Sequence, residues 1–138
     1  MPTLSVHADG GDRYTVRMGR HTIAVDQPVE AGGTDTGPTP TDLFVASLAS
    51  CTAHYAGRFL RRHGLSSEGL AITCAFDMAT DRPARVGTIS LDVLVPAGIP
   101  EPLDGRFRAV IEHSTVKNSI ATPPTIELRL HATDRTAA

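Results

Sequence analysis

The stretch that decides the fold is Gly37-Pro38-Thr39-Pro40-Thr41-Asp42-Leu43-Phe44-Val45-Ala46-Ser47-Leu48-Ala49-Ser50-Cys51-Thr52-Ala53. Thr39 is a favourable helix cap, a proline follows at the first helical position, and Asp42 stands where a carboxylate reaches back to the cap. The pattern predicts a helix that continues to about His63 and stops at Gly64. Because its first half is apolar or small on every side, we predict that protein encloses it.

Short strands are predicted on both sides of this helix. Residues 14–18 alternate apolar and polar side chains, and a second strand, residues 21–26, follows across a turn at Gly19. Residues 28–40 are rich in glycine and proline, as in a loop. After the helix, residues 72–78 and 89–95 each carry an apolar residue at every second position, including Met78 and Val95. We therefore predict four strands in these segments, with the apolar positions directed inward.

The last third of the chain predicts a second helix and a final strand. The helix covers about residues 102–113, and the strand places Ile126, Leu128 and Leu130 inward. Strands, a central helix and strands again indicate one α+β domain over residues 1–138. So few elements cannot cover an enclosed helix in 138 residues, which predicts a homodimer in which the helices cover one another.

Composition excludes several kinds of partner. A net charge of −2, 4% aromatic residues and no tryptophan give no basis for nucleic-acid binding. The longest chargeless run, residues 43–57, is too short to span a bilayer, and residues 1–10 lack the features of a signal peptide. We predict a cytoplasmic protein that binds neither nucleic acid nor membrane.

The two cysteines differ in their surroundings. Cys74 alternates in phase with apolar neighbours and is interpreted as part of the core. Cys51 is either a small hydrophobe in the packing or a reactive thiol. It lies too far inside the helix for the helix dipole to act on it, so a reactive thiolate there needs a cationic side chain or a second helix terminus.

Neighbouring polar residues offer weaker alternatives. His54 follows Cys51 by three positions and could act as its base in a hydrolase, or the pair could bind zinc with His113. The spacing lacks a close ligand pair, so we expect no metal and interpret His54 as a partly exposed helix residue. Ser114 or Thr115 could cap a short helical turn.

Two ordered blocks of the chain resemble the OsmC and organic hydroperoxide resistance family. The first is Gly32-Gly33, then Gly37-Pro38-Thr39-Pro40, Leu43 and Ala46-Ser47-Leu48-Ala49-Ser50-Cys51-Thr52. The second is Glu112-His113-Ser114-Thr115-Val116-Lys117-Asn118-Ser119-Ile120, which is similar to the family's Cys-Thr-Val-His-Asn-Ser-Leu segment. The resemblance covers nearly the whole chain.

This resemblance implies a fold and an activity. The fold is α+β, with mixed β-sheets wrapped around a long central helix, in an intertwined homodimer with active sites at the subunit interface. The active members are thiol peroxidases that need no cofactor. Cys51 would attack an organic hydroperoxide and become a sulfenic acid, a second cysteine would form a disulfide with it, and a dithiol reductant would reopen that bond.

The second cysteine of the family pattern is absent. Its position holds Ser114, whose hydroxyl cannot form the disulfide. Cys74 could substitute only if its Cα came within about 7 Å of that of Cys51. Otherwise an external thiol must reduce the Cys51 sulfenate, in a one-cysteine cycle.

The charged residues that organise the family's thiolate are also altered. The carboxylate expected one place after the proline is Thr41, and Asp42 is the nearest substitute. The family's arginine from the N-terminal strands corresponds to Arg13, Arg17 or Arg20, of which we favour Arg17 because it interrupts a strand pattern. The sequence thus supports two functions: a peroxidase for alkyl or lipid hydroperoxides, or a non-catalytic protein that binds a small apolar or acyl ligand at the dimer interface.

Overall fold

The computed structural model describes residues 1–133, which contain five strands, three α-helices and one short 3-10 helix, Val29–Ala31. Their bounds are β1 Ser5–Gly10, β2 Arg13–Met18, β3 His21–Val25, α1 Pro40–Arg62, β4 Ala71–Met78, β5 Val86–Leu94, α2 Glu101–Glu112 and α3 Thr115–Ala121. The order confirms the α+β class. Both sheets are antiparallel.

The first sheet is the meander β1-β2-β3, and little of it is covered. Glycines with positive φ form its turns, at positions 10, 11 and 19. Val16 pairs with Val6 on one side and with Ile23 on the other. Val6 is 55% exposed and Tyr14 is 42% exposed, so the sheet presents apolar side chains to solvent.

The second sheet is the pair β4-β5, in which Cys74 lies opposite Leu91. The inward positions alternate as predicted along both strands, except at Met78, which is exposed. The prediction for Met78 is wrong because the register shifts between Asp77 and Met78, and such an irregularity redirects the side chain.

The core lies where the second half of α1 packs against α2 and the second sheet. Its buried members are Ala56, Phe59, Leu60 and Phe107. Leu103, Val110 and Ile111 of α2 and Val93 of β5 pack around them. Both helices were predicted to within a residue or two.

The first half of α1 is not enclosed in this chain. Val45 and Leu48 are buried, whereas Phe44, Ala46 and Ser50 are exposed. The prediction of an enclosed first half is therefore wrong for one chain by itself. The physical reason is that α2 and the second sheet pack around the second half of the helix.

The predicted last strand is also absent from the described residues. Residues 123–133 form no helix or strand, and Ile126, Leu128 and Leu130 are 84%, 88% and 92% exposed. An extended segment becomes a strand only when a neighbour supplies hydrogen bonds, and no strand of this chain pairs with it within residues 1–133.

Candidate active site

A buried carboxylate anchors the loop that leads to α1. Asp26 accepts hydrogen bonds from the hydroxyls of Thr34 (2.6 Å) and Thr36 (2.7 Å) and from the backbone N–H of Gln27 (2.8 Å). These bonds, led by that of Thr34, hold the pKa of the Asp26 carboxyl well below its usual range. The loop is therefore fixed around an ionised group.

Two glycines let this loop lie against the end of β3. A Cβ at Gly33 would stand 2.1 Å from the carbonyl oxygen of Gln27, and one at Gly37 would stand 2.0 Å from that of Ala24. No side chain fits at either distance. The N–H of Asp26 also donates to the carbonyl of Pro38 (3.1 Å), so the loop delivers the start of α1 to a fixed place.

The predicted cap of α1 is confirmed. The Thr39 hydroxyl accepts from the N–H of Asp42, and the Asp42 carboxylate accepts from the N–H of Thr39, both at 3.0 Å. Asp42 is thus exposed and engaged at the helix start. Cys51 follows nine residues later, about 13 Å along the helix, so Asp42 makes no direct contact with the thiol of its own chain.

Cys51 is half-buried on α1 and carries a free thiol, as does Cys74 on β4. Its sulfur makes no hydrogen bond with any residue between 1 and 133. No described group of the same chain therefore donates a hydrogen bond to the Cys51 sulfur.

The start of α3, with Ser114 as its cap, lies against the part of α1 that carries Cys51 and Tyr55. The Tyr55 hydroxyl lies 2.7 Å from that of Thr115, and Tyr55 follows Cys51 by one helical turn on the same face. Ser114 is fully buried and caps α3, where its hydroxyl accepts from the N–H of Lys117 (3.3 Å). The capping role considered for Ser114 from the sequence is confirmed.

The three candidate arginines have different surroundings. Arg13 donates to the Thr36 hydroxyl (3.1 Å) and lies 3.5 Å from the Asp9 carboxylate, so it ties β2 to the loop after β3. Arg17 is exposed in the middle of β2, and Arg20 is exposed in the following turn. Neither makes a side-chain hydrogen bond or ion pair in the described part of the chain.

A cavity lies beside α1, and Cys51 is not among the residues that line it. It has a volume of about 780 Å³ and is lined by Phe44, Leu48 and Thr52 of α1, with mostly apolar residues of β5, α2 and α3. The buried Thr52 points into it, so the neighbouring Cys51 faces a different direction on the helix. The sequence did not indicate this cavity, because its walls come from four separate elements.

The structure gives no support to a thiol–histidine pair. His54 is exposed and packs edge-on against Tyr55, with ring centroids 5.6 Å apart. Over residues 1–133, no three or more histidine, cysteine or acidic side chains stand together as metal ligands do. No helix in that range is both long enough and apolar enough to cross a membrane.

Sequence reasoning missed two residues that shape the site. Tyr55 stands four positions after Cys51, and this spacing alone could have placed it on the same helix face. Asp26 gave a weaker signal, since its partners Thr34 and Thr36 lie eight and ten residues away across a loop.

The family model described as OsmC-like protein matches residues 33–129, which is more than half of the chain. The matched range holds the whole second block and all of the first block except Gly32. The curated protein sequences contain no significant match.

Solved structures with the same fold support this match. A protein of Psychrobacter arcticus 273-4 named for an osmotic stress induced and detoxification response has 26% identity and a TM-score of 0.77, over 86% of this chain and 88% of its own. The organic hydroperoxide resistance protein OsmC of Legionella pneumophila has 20% identity and a TM-score of 0.65, over 87% and 88%. OhrB of Bacillus subtilis, an organic hydroperoxide resistance protein, has 16% identity and a TM-score of 0.57, over 89% and 90%.

Proposed function

The chain belongs to the OsmC-like protein family, and we propose that it is a thiol peroxidase that reduces organic hydroperoxides through Cys51. The observation that carries the proposal is the placement of Cys51 on α1 one turn from Tyr55, whose hydroxyl contacts the start of α3. The two blocks that carry the resemblance therefore meet in space. Two of the similar structures are named for organic hydroperoxide resistance.

The first step forms a sulfur–oxygen bond. The Cys51 thiolate attacks the terminal oxygen of an alkyl or lipid hydroperoxide, the O–O bond breaks, and the alkoxide leaves with a proton as an alcohol. Cys51 is oxidised to a sulfenic acid and the hydroperoxide is reduced.

Return to the thiol uses an external reductant. Ser114 is a buried hydroxyl that caps α3 and offers no second sulfur. A thiol therefore attacks the sulfenic sulfur and releases water, and a second thiol, or the other arm of a dithiol, displaces Cys51 as a disulfide forms.

The charged part of the site is proposed to come from the N-terminal sheet and the start of α1. Arg17 is the candidate that would stabilise the thiolate, since its guanidinium has no partner among residues 1–133. Asp42 would orient Arg17 through its second carboxylate oxygen, because Oδ2 is the atom that the cap engages. Ser114 would help to line the site beside Cys51.

A homodimer is part of the same proposal. One chain leaves apolar side chains uncovered on the first sheet, on the first half of α1 and along residues 126–130, including Val6, Phe44 and Leu128. A second copy that covers them would satisfy the enclosure predicted for α1. A single domain over residues 1–138 and a cytoplasmic location remain predictions that accompany this proposal.

One observation favours the rival function, a non-catalytic protein that binds a small apolar or acyl ligand. The cavity of about 780 Å³ beside α1 has the size of a small-molecule site and lies away from the Cys51 thiol. The rival predicts that decanoate raises the thermal midpoint and that cumene hydroperoxide is not consumed.

Turnover of cumene hydroperoxide with dithiothreitol tests the proposal. We expect consumption by the unaltered protein, near-complete loss in Cys51→Ser, and full retention in the matched variant Cys74→Ser. Full activity in Cys51→Ser would show the mechanism to be wrong. Covalent labelling of Cys51 by an activated ester, without hydroperoxide turnover, would instead support a hydrolase.

A further inference from the structure

A second, smaller cavity lies between α1 and α2, apart from the thiol. Its volume is about 470 Å³, within the range of small-molecule sites. On α1 its wall includes Tyr55, Arg58 and Arg62, and on α2 it includes Arg106 and His113. The spacings on both helices are those of a single helix face, so two faces meet to form a groove.

The groove is basic although the chain carries a net charge of −2. Three arginines and two histidines line it, and no acidic side chain does. The arginines are Arg58, Arg62 and Arg106, and none of them forms an ion pair with a residue in the range 1–133.

The sequences of both helices place no carboxylate where it could pair with these arginines along the helix. No carboxylate stands three or four positions from Arg58, Arg62 or Arg106. Arg108, which follows Arg106 by two positions and lies on another face of α2, differs: its guanidinium lies 2.8 Å from the Asp104 carboxylate. Arg61, which does not line the groove, also forms no ion pair with a residue in the range 1–133. The three groove arginines are therefore distinguished by lining one concavity without a counter-charge.

The helix dipole explains only one of these charges. Arg62 lies in the last turn of α1, where a cation is favourable. Arg58 stands one turn earlier at the like-charge spacing i, i+4 from Arg62, and Arg106 lies in the middle of α2. Like charges gathered around a concavity repel one another, and an anion bound between them removes that repulsion.

The walls also hold the basic groups in place. The His63 ring stacks on Phe59 with centroids 4.0 Å apart, and its Nδ1 lies 2.9 Å from the Phe59 carbonyl, to which it donates. The Arg58 guanidinium lies 4.8 Å from the centre of the Tyr55 ring. With Nδ1 engaged, the second ring nitrogen of His63 is left for a ligand.

We propose that this groove binds a small molecule with at least two anionic groups, carboxylate or phosphate, which Arg58, Arg62 and Arg106 hold together. The guanidinium fork binds the oxygens of either group in pairs. The floor of Phe59, Ala109 and Val110 would contact the ligand's carbon skeleton. This site is distinct from the cavity of about 780 Å³ and does not depend on the chemistry of Cys51.

Calorimetric titration of the full-length protein with citrate and with pyrophosphate, each matched in ionic strength with sodium chloride, tests the proposal. We expect saturable one-to-one binding of at least one probe. Arg62→Gln and Arg106→Gln should each weaken it by about tenfold, the usual effect of a charge-assisted hydrogen bond. Arg61→Gln is the matched control on the same helix, because Arg61 does not line the groove.

The two probes identify the anion. Binding of citrate alone selects carboxylates, and binding of pyrophosphate alone selects phosphates. Thermal unfolding of each variant without ligand checks that the fold is kept. The midpoint should change little, because relief of like-charge repulsion offsets the favourable charge that Arg62→Gln removes from the end of α1. The proposal is overturned if neither probe binds at millimolar concentration, or if Arg61→Gln weakens binding as much as Arg62→Gln does.

Discussion

The two halves of α1 differ in how much of their burial one chain supplies. The second half, with Ala56, Phe59 and Leu60, is buried against α2 and the second sheet. The first half leaves Phe44 and Ser50 exposed, and the first sheet is also largely uncovered. Cys51 lies at the boundary between them. One chain therefore builds a core by itself, and in the proposed homodimer a second copy would complete the surroundings of the thiol.

We expect the largest loss of stability from a substitution in the core around the second half of α1. Phe107 is buried and packs edge-on against Phe59, with centroids 5.3 Å apart. We expect Phe107→Ala to lower the free energy of unfolding by about 3–5 kcal/mol, measured by urea denaturation. Phe44→Ala is the matched control, and its smaller loss should grow with protein concentration, whereas that of Phe107→Ala should not. Equal losses that do not depend on concentration would remove the distinction between the two halves.

The loop before α1 should respond to acid. Since folding lowers the pKa of Asp26, its carboxylate contributes stability that is fully present above the unfolded pKa, near 4, and is lost as the pH falls further. We expect Asp26→Asn to lower the thermal midpoint at pH 7, where the hydroxyls of Thr34 and Thr36 lose a charged acceptor. The difference from the unaltered protein should shrink as the pH falls from 4 to 3. A difference that stays constant with pH would show that the network does not depend on charge.

Sequence reasoning succeeded where the signal was local. Thr39, the proline after it, Asp42 and Gly64 fixed both ends of α1, because caps and stops act within one turn. It failed where the structure depends on a partner that is distant in the sequence or outside the chain. Residues 126–130 alternate like a strand, but alternation does not say which strand pairs with them. The capping role of Ser114 was available from the sequence, whereas the arginine proposed to face Cys51 would depend on how the two chains of the proposed homodimer assemble.

The proposed dimer should be weakened by a charge placed on the exposed apolar segment 126–130. Burying a leucine contributes roughly 1.5–3 kcal/mol, so Leu128→Glu should raise the dimer dissociation constant by at least tenfold. Sedimentation equilibrium measures this. Val29→Glu, at another exposed apolar position, should leave the constant nearly unchanged. A protein that sediments as a monomer before any substitution would contradict the homodimer.

A smaller effect on stability, with a clear chemical readout, is expected at Ser114. Ser114→Cys should cost about 1 kcal/mol in the reduced protein through loss of the α3 cap. After one equivalent of cumene hydroperoxide it should form a disulfide with Cys51, seen by mass spectrometry of non-reduced peptides. Ser119→Cys, an exposed position on the same helix, should not. Failure of the Ser114 variant to form the bond would place α3 too far from the thiol.

In the proposed reaction the Cys51 sulfur is the atom that attacks the hydroperoxide. The most direct measurement is mass spectrometry of peptides after cumene hydroperoxide is added in the presence of dimedone, which traps sulfenic acids. We expect a dimedone adduct on Cys51 and none on Cys74. The Cys51 adduct should be absent when dithiothreitol is added before dimedone. An unmodified Cys51 thiol after excess hydroperoxide would contradict it and would leave the ligand-binding function as the explanation of this fold.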